Sequence, residues 1–416
     1  MTTTPVLQVG SDDRPAHRDP NVLRWLGAYA ASMAGDGVYY VALSWAAVQA
    51  GSPAQAGLVM TASALPRAVL MLGGGVIADR FGPRRVVIGS DAVRCAAVLA
   101  VAALLFLTGP GLWPLAALAL VFGIVDAVFV PAVGALPARI TAKAQLARVQ
   151  GMRGLAYRFA VIFGAPLGGL AVAFGGATAA FGIAGLLIAV SVPLLISVRV
   201  RKLPSGDTAA VGTTTAWRDL AAGLRYIRRH RVLAPLMLAI ALGDLGFVGP
   251  LNVGLTLLAD ERGWGASGMG WVLAGFGVGA GIASTVLTVR GRLPHAGQVA
   301  GYSLIAGSIA IGALAYVPSV LAAVGVALLI GLLAGLSGAM CVALLQTQSD
   351  PAYLGRVTAV SSLASLGLAP LTMPLSAAAI GAWGTGPVFV VSAVVCGLGG
   401  AIALCVRELR RAELPD

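Results

Sequence analysis

The feature that most constrains this chain is the recurrence of runs of about 20 mostly apolar residues, the length that crosses the hydrocarbon core of a bilayer. Twelve such runs can be read: 23–48, 55–78, 86–108, 113–138, 148–173, 177–198, 232–258, 267–289, 298–316, 320–346, 356–380 and 386–406. Short turns such as Gly109-Pro110 and the stretch from Gly384 to Pro387 punctuate them. A water-soluble fold would have to hide this surface, and the chain is 58% hydrophobic but only 11% charged, against roughly 25% charged in soluble domains. Mean hydropathy is +0.90. The solvent is therefore lipid. Backbone polar groups in lipid must bond within their own helix, so the expected fold class is an all-α integral membrane protein. The 56 glycines suit close helix packing in that medium.

A net charge of +12 would point to nucleic acid in a soluble protein; here the placement of the charge decides otherwise. With an even number of spans both termini share one side, and basic residues concentrate on the cytoplasmic side of a membrane. With the termini inside, 25 of the 28 Lys and Arg fall in inner tails, loops and helix ends, and one, Arg262, falls outside. Arg67 and Arg158 fall mid-span. The expectation is a multi-pass protein of the plasma (inner) membrane with both termini cytoplasmic and no nucleic-acid partner. The first residues are polar, include Asp12, Asp13 and Asp19, and lack a signal-peptide pattern.

The chain divides into a cytoplasmic tail at 1–21, expected to be disordered, a six-helix bundle at 22–198, a linker at 199–231, a second bundle at 232–406 and a tail at 407–416. In the linker, Trp217, Leu220, Leu224 and Ile227 share one face of a helix with Arg218, Arg225 and Arg228 among the polar positions, a pattern suited to the headgroup region. The halves are related by an offset of 208 residues. Gly35-Asp36 recurs as Gly243-Asp244, Leu146-Ala147-Arg148-Val149 as Leu354-Gly355-Arg356-Val357, and Pro166 as Pro374. Parallel six-helix repeats with a site near the midplane between them are a known transporter architecture.

The loop between spans two and three reads Gly75-Val76-Ile77-Ala78-Asp79-Arg80-Phe81-Gly82-Pro83-Arg84-Arg85. It resembles the signature loop of the major facilitator superfamily, which implies twelve helices in two six-helix pseudo-repeats and a conformational latch at Gly75, Asp79, Arg80, Gly82, Arg84 and Arg85. Gly82 supplies the tight turn. The second half has no good copy, since Asp79 maps to Leu287 and Gly75 to Ala283. Gly35-Asp36-Gly37 with Ala42-Leu43-Ser44-Trp45, then Ser90-Asp91-Ala92-Val93-Arg94, and the linker from Trp217-Arg218-Asp219 to Arg228-Arg229-His230, resemble the drug:proton antiporter branch that holds macrolide-type and siderophore exporters. One departure is Gly164-Ala165-Pro166-Leu167-Gly168-Gly169, where the proline of the antiporter pattern is displaced by one.

Ionisable side chains at mid-bilayer are expensive and are functional candidates. Five lie near span centres: Asp36, Arg67, Asp126, Arg158 and Asp244. The resemblance places the spans that carry the three acids on a central cavity. The first half has two acids and two bases there, which can pair as Asp36 with Arg67 and Asp126 with Arg158, or crosswise. Asp244 has no mid-span base in its half. A carboxylate shielded from water without a cation is costly in its ionised form, so Asp244 is the expected proton carrier and Asp36 its rival. Tyr39, Tyr40, Phe129, Phe247 and Asn252 lie within about two turns of these acids and can line a cavity for an amphipathic substrate. The alternating glycines Gly275, Gly277, Gly279 and Gly281 suit close packing or a flexible helix.

Cys95, Cys341, Cys396 and Cys405 all fall in apolar stretches without metal-ligand spacing, so neither metal, disulfide nor cofactor is expected. No nucleophile–base set points to an enzyme. The reading is a secondary transporter, acting as a monomer, that uses protons to expel a small amphipathic molecule (drug, natural product or siderophore) by alternating access, a pattern of multidrug resistance. An importer of a small metabolite and a non-transporting scaffold or sensor are the alternatives.

Overall fold

The computed structural model describes residues 16–109, 111–141, 145–200, 216–290, 294–350 and 353–413, excluding the side chains at 16, 71–76, 78–79, 147, 216–220, 288, 290, 359, 366 and 369. Those residues are almost wholly helical. In chain order the helices are α1 (Pro20–Ala50), α2 (Pro53–Phe81), α3 (Pro83–Thr108), α4 (Leu112–Ala135), α5 (Pro137–Ile140), α6 (Leu146–Ser197), α7 (Ala216–Arg229) and α8 (Leu233–Gly249). After a wide π-type turn at Pro250–Gly254 come α9 (Leu255–Glu261), α10 (Gly265–Arg290), α11 (Ala296–Leu314), α12 (Val320–Gln348), α13 (Leu354–Trp383), α14 (Thr385–Cys405) and α15 (Arg407–Arg410). Nine helical stretches among the described residues, counting α8 through α9 as one, are long and apolar enough to cross a membrane.

Helix boundaries follow local chemistry. Asp19 accepts from the Asn21 amide at 2.8 Å and opens α1 ahead of Pro20, so the helix begins inside the segment expected to be a tail, whose residues 1–15 lie outside the described set. Ser52 and Gln55 form a reciprocal capping box at the start of α2. A straight α6 would be about 78 Å long, far more than a bilayer's hydrocarbon thickness. It folds back at Gly176, whose φ of +67° favours glycine, and so supplies two passes, matching the runs at 148–173 and 177–198. Pro250 carries no amide proton, which suits the π-type turn inside the run 232–258.

Within each half the helices touch through small residues. A Cβ on Gly279 would sit 1.9 Å from the Leu328 carbonyl oxygen, and one on Gly331 2.0 Å from that of Phe276, so α10 and α12 meet backbone to backbone. Gly275 packs on the same helix, whereas Gly277 faces Val161 and Ile162 of the other half. The alternating glycines thus serve two faces of one helix. The displaced-proline segment behaves similarly: Gly164 and Gly168 receive α1, and Gly169 receives Ala266 of α10.

The halves meet toward the face opposite the chain termini. Gly57 lies against Pro374 and Ala377, Thr256 Oγ1 donates to Ser44 Oγ at 3.2 Å, and Gln49 Nε2 donates to Asp260 Oδ1 at 2.7 Å. The linker helix α7 docks on the second half: Ile227 is buried, Tyr226 stacks on Tyr353 with centroids 4.5 Å apart, and the Tyr226 hydroxyl accepts from the Asp350 amide. It is an amphipathic helix seated on protein; Trp217 and Leu220 fall outside the described side chains.

Candidate functional site

The charged centre of the first half is organised by a residue that sequence reasoning assigned to the inner surface. Arg94, about three turns into α3, is completely buried. Its Nη1 donates to Asp36 Oδ2 at 2.7 Å and to Asp126 Oδ1 at 3.3 Å. Its Nη2 donates to Ser32 Oγ at 2.9 Å and also pairs with Asp91, one turn earlier on its own helix. Asp91 is held by Ser32 Oγ at 3.0 Å and by the Ser191 hydroxyl. The Phe129 ring lies 3.9 Å from the Arg94 guanidinium carbon, a cation–π contact in a dry setting. The arrangement draws on α1, α3, α4 and the second pass of α6, and a guanidinium's planar set of donors is what allows one side chain to bind so many oxygens.

This corrects the expected pairing. Asp36 pairs with Arg94 and not with Arg67. Arg67 lies 3.7 Å from Asp126 and donates to the Tyr40 hydroxyl at 3.4 Å, one of the crosswise pairings. Arg158 does not join Asp126; its Nη2 reaches across to Ser284 Oγ of the second half at 2.6 Å. The first-half cluster therefore holds three carboxylates, Asp36, Asp91 and Asp126, against two guanidinium groups, Arg67 and Arg94. The balance of two acids and two bases does not hold. Arg94 and Asp91 could have been found from their spacing: at i and i+3 on an apolar helix they face the same way.

A cavity of about 330 Å³ borders the cluster. Asp36, Tyr40, Arg67, Asp126 and Phe129 line it, and it extends toward Tyr29 and Arg153, about three helical turns nearer the terminus-bearing face. Side-chain exposures of 34% for Arg67 and 17% for Asp36, against 0% for Arg94 and 1% for Asp91, divide the cluster into an accessible edge and a sealed base. Tyr39 is packing and not lining: it is buried and stacks on Phe122 with centroids 3.7 Å apart.

In the second half, Asp244 accepts from the Ser365 hydroxyl and has no cationic partner among the described residues. It lines a cavity of about 250 Å³, together with Phe247. Asn252 sits in the π-type turn, is exposed, and donates back to the Val248 carbonyl at 2.8 Å; it lines neither cavity.

In the signature loop Gly82 has φ +85°, the turn its residue type predicts. Arg84 Nε donates to the Leu195 carbonyl at 3.3 Å and its Nη2 to that of Ile196, so it caps the end of α6 within its own half. Arg80 and Arg85 are exposed. Gly75 and Asp79 fall outside the described side chains.

The family model described as Major Facilitator Superfamily matches residues 25–365. The Enterobactin exporter EntS of Shigella boydii serotype 18 is 26% identical over 367 residues, covering 86% of this chain and 84% of the exporter; that of Escherichia coli O139:H28 matches to the same extent. Among solved structures, a D-xylose-proton symporter superposes with a TM-score of 0.71 at 13% identity over 95% of this chain and 98% of its own. The nucleoside transporter NupG gives 0.70 at 12% identity, covering 94% and 100%. These two structures speak for the fold.

Proposed function

The chain belongs to the Major Facilitator Superfamily, a multi-pass membrane transporter and not an enzyme, and from that premise we propose that it exports small amphipathic compounds in exchange for protons. Its twelve passes lie in the inner membrane with both termini in the cytoplasm, and the basic residues of the inner segments, 24 once Arg94 is placed in the interior, support that direction. The efflux reading draws on the similarity to enterobactin exporters. The coupling reading rests on one observation, the three carboxylates that share two guanidinium groups beside the 330 Å³ cavity.

A cluster with one carboxylate more than its cations can match has a natural place for a proton. The sealed pair Asp91–Arg94 fixes the geometry, and the proton resides on the edge that lines the cavity, at Asp36 and Asp126. Asp244, the first candidate on sequence grounds, has among the described residues no neighbouring cation whose pairing a proton would release. With the halves in contact at the face opposite the termini, the cavity receives substrate from the cytoplasm. A proton arriving from outside neutralises the Asp36–Asp126 edge, loosens the hold of Arg67 on Asp126, and frees Arg67 to exchange partners as the halves rock. The loop containing Gly75, Asp79, Arg80, Gly82, Arg84 and Arg85 acts as the latch for that motion.

The test is transport in proteoliposomes with an imposed pH gradient and a panel of amphipathic compounds that includes enterobactin. Substrate is expected to move against the proton flow, and Asp36→Asn to abolish the gradient dependence. Movement with the proton would make the protein an importer. Wild-type gradient dependence in both Asp36→Asn and Asp126→Asn would remove the coupling site.

A further inference from the structure

The two halves share a backbone plan but differ in what fills it. The helices α4 and α12 begin 208 residues apart, at Leu112 and Val320, and so do α6 and α13, at Leu146 and Leu354. The helices α3 and α11 begin 213 residues apart, at Pro83 and Ala296. In that register Arg94 falls on Gly307, and Tyr302, its counterpart at an offset of 208, is 62% exposed. Asp126 falls on Ala334, Phe129 on Ser337, Arg153 on Ser361 and Tyr157 on Ser365.

Each of these large or charged residues of the first half is replaced by a small one, and Gly307, Ala334, Ser337, Ser361 and Ser365 all line the 250 Å³ cavity beside Asp244. The cavity is thus the volume that the Arg94 guanidinium, its Phe129 lid and their neighbours fill in the first half. Asp244 keeps the place of Asp36 but has no cation beside it among the described residues. A Cβ on Gly307 would meet only Leu333, at 3.7 Å, so glycine there leaves open space.

We propose that this cavity binds an organic monocation, a protonated amine or guanidinium on a small apolar body, whose charge takes up against Asp244 the position that Arg94 takes against Asp36. The lining suits such a ligand. One carboxylate supplies the charge partner, the hydroxyls of Ser337, Ser361 and Ser365 accept the remaining N–H groups, and Phe247 with other apolar side chains receives the hydrocarbon part. A bare metal ion needs a tight shell of oxygens, which a cavity of this size and apolar character does not offer. The site is defined by ligand charge and is independent of the direction and coupling of transport.

The experiment is equilibrium binding to the purified, detergent-solubilised full-length protein without any gradient, with 2-phenylethylammonium as probe and 2-phenylethanol as its uncharged counterpart. One saturable site per chain is expected for the amine, with the alcohol at least tenfold weaker. Asp244→Asn should weaken the amine at least tenfold, as should Ser337→Phe, which fills the cavity with the residue type the first half carries there. Tyr302→Phe, at an exposed position outside both cavities, should leave binding unchanged. The proposal is overturned if the wild-type protein does not bind the amine, if the alcohol binds equally well, or if both Asp244→Asn and Ser337→Phe, verified as folded, bind the amine as the wild type does. Loss of binding in Asp36→Asn with retention in Asp244→Asn would also overturn it, by moving the ligand to the first-half cavity. Since no transport is measured, failure of the efflux reading leaves this result intact, and the converse holds.

Discussion

Arg94 and Asp36 sit 58 positions apart in the chain and meet at 2.7 Å in the interior of the first half, where Arg94 has no exposed surface at all. The same guanidinium also holds Asp91 and Asp126, so the packing of α1, α3 and α4 passes through one side chain.

Removing that side chain would leave the carboxylates of Asp36, Asp91 and Asp126 with Arg67 as the remaining cation of the cluster. Breaking a buried ion pair by deleting one partner costs about 3–5 kcal/mol. Arg94→Ala is therefore expected to give little folded protein, with a strongly lowered midpoint in thermal unfolding. Arg94→Lys keeps the charge but loses the fork that spans several oxygens, and should fall between the two. A melting curve of Arg94→Ala that overlays the wild type would contradict this account.

The members of the cluster that are sealed and those that line the cavity should behave differently. Asp91→Asn lies at the base with Ser32 and Ser191, so its effect is expected on stability. Asp126→Asn lies on the cavity edge, so its effect is expected on proton-driven transport with the fold retained. Paired melting and transport assays on both variants separate the roles.

Gly331→Ala places a Cβ 2.0 Å from the Phe276 carbonyl oxygen. Neither backbone can yield without parting α10 from α12, and overpacking of this kind costs about 1–3 kcal/mol. Gly281→Ala, on the partner helix α10, meets nothing within 4 Å and should melt like the wild type. The comparison is a thermal shift assay.

The contact of Gln49 with Asp260 joins the halves at the face opposite the termini. Cysteines at both positions, in a background with the four native cysteines replaced, should be joined by a short bis-thiosulfonate cross-linker. If the halves must part there during the cycle, cross-linking stops transport and reduction restores it. Full transport by the cross-linked protein would rule out opening at that face.

Arg84→Ala removes the side chain that caps α6 at Leu195 and Ile196. A cation at a helix C-terminus contributes about 0.3–1 kcal/mol, so a small drop in melting temperature is expected. Arg85→Ala, at an exposed position, should leave it unchanged.

The helices, their order and the family resemblance were legible from the chain alone because each rests on local information. A run of apolar residues needs no partner to be recognised, a proline or glycine acts on its own turn, and the 208-residue offset is a property of spacing. Boundaries lay within a few residues of the observed ones for that reason, as at 55–78 for Pro53–Phe81. Which charges meet was not legible in this way. Arg94 lies close enough to the start of its run to be counted with the basic inner surface, and only the packing of α1 and α4 over it shows that it points inward. Likewise Asp244 reads as a lone acid in the sequence, but the space beside it is visible only once Gly307, Ala334 and Ser337, from two helices, are brought together. Hydropathy is summed along the chain, whereas ion pairing and cavities depend on distances between helices far apart in sequence. The chain by itself therefore determined the membrane-spanning halves, and the tertiary structure decided that one half carries its own cation while the other leaves room for one.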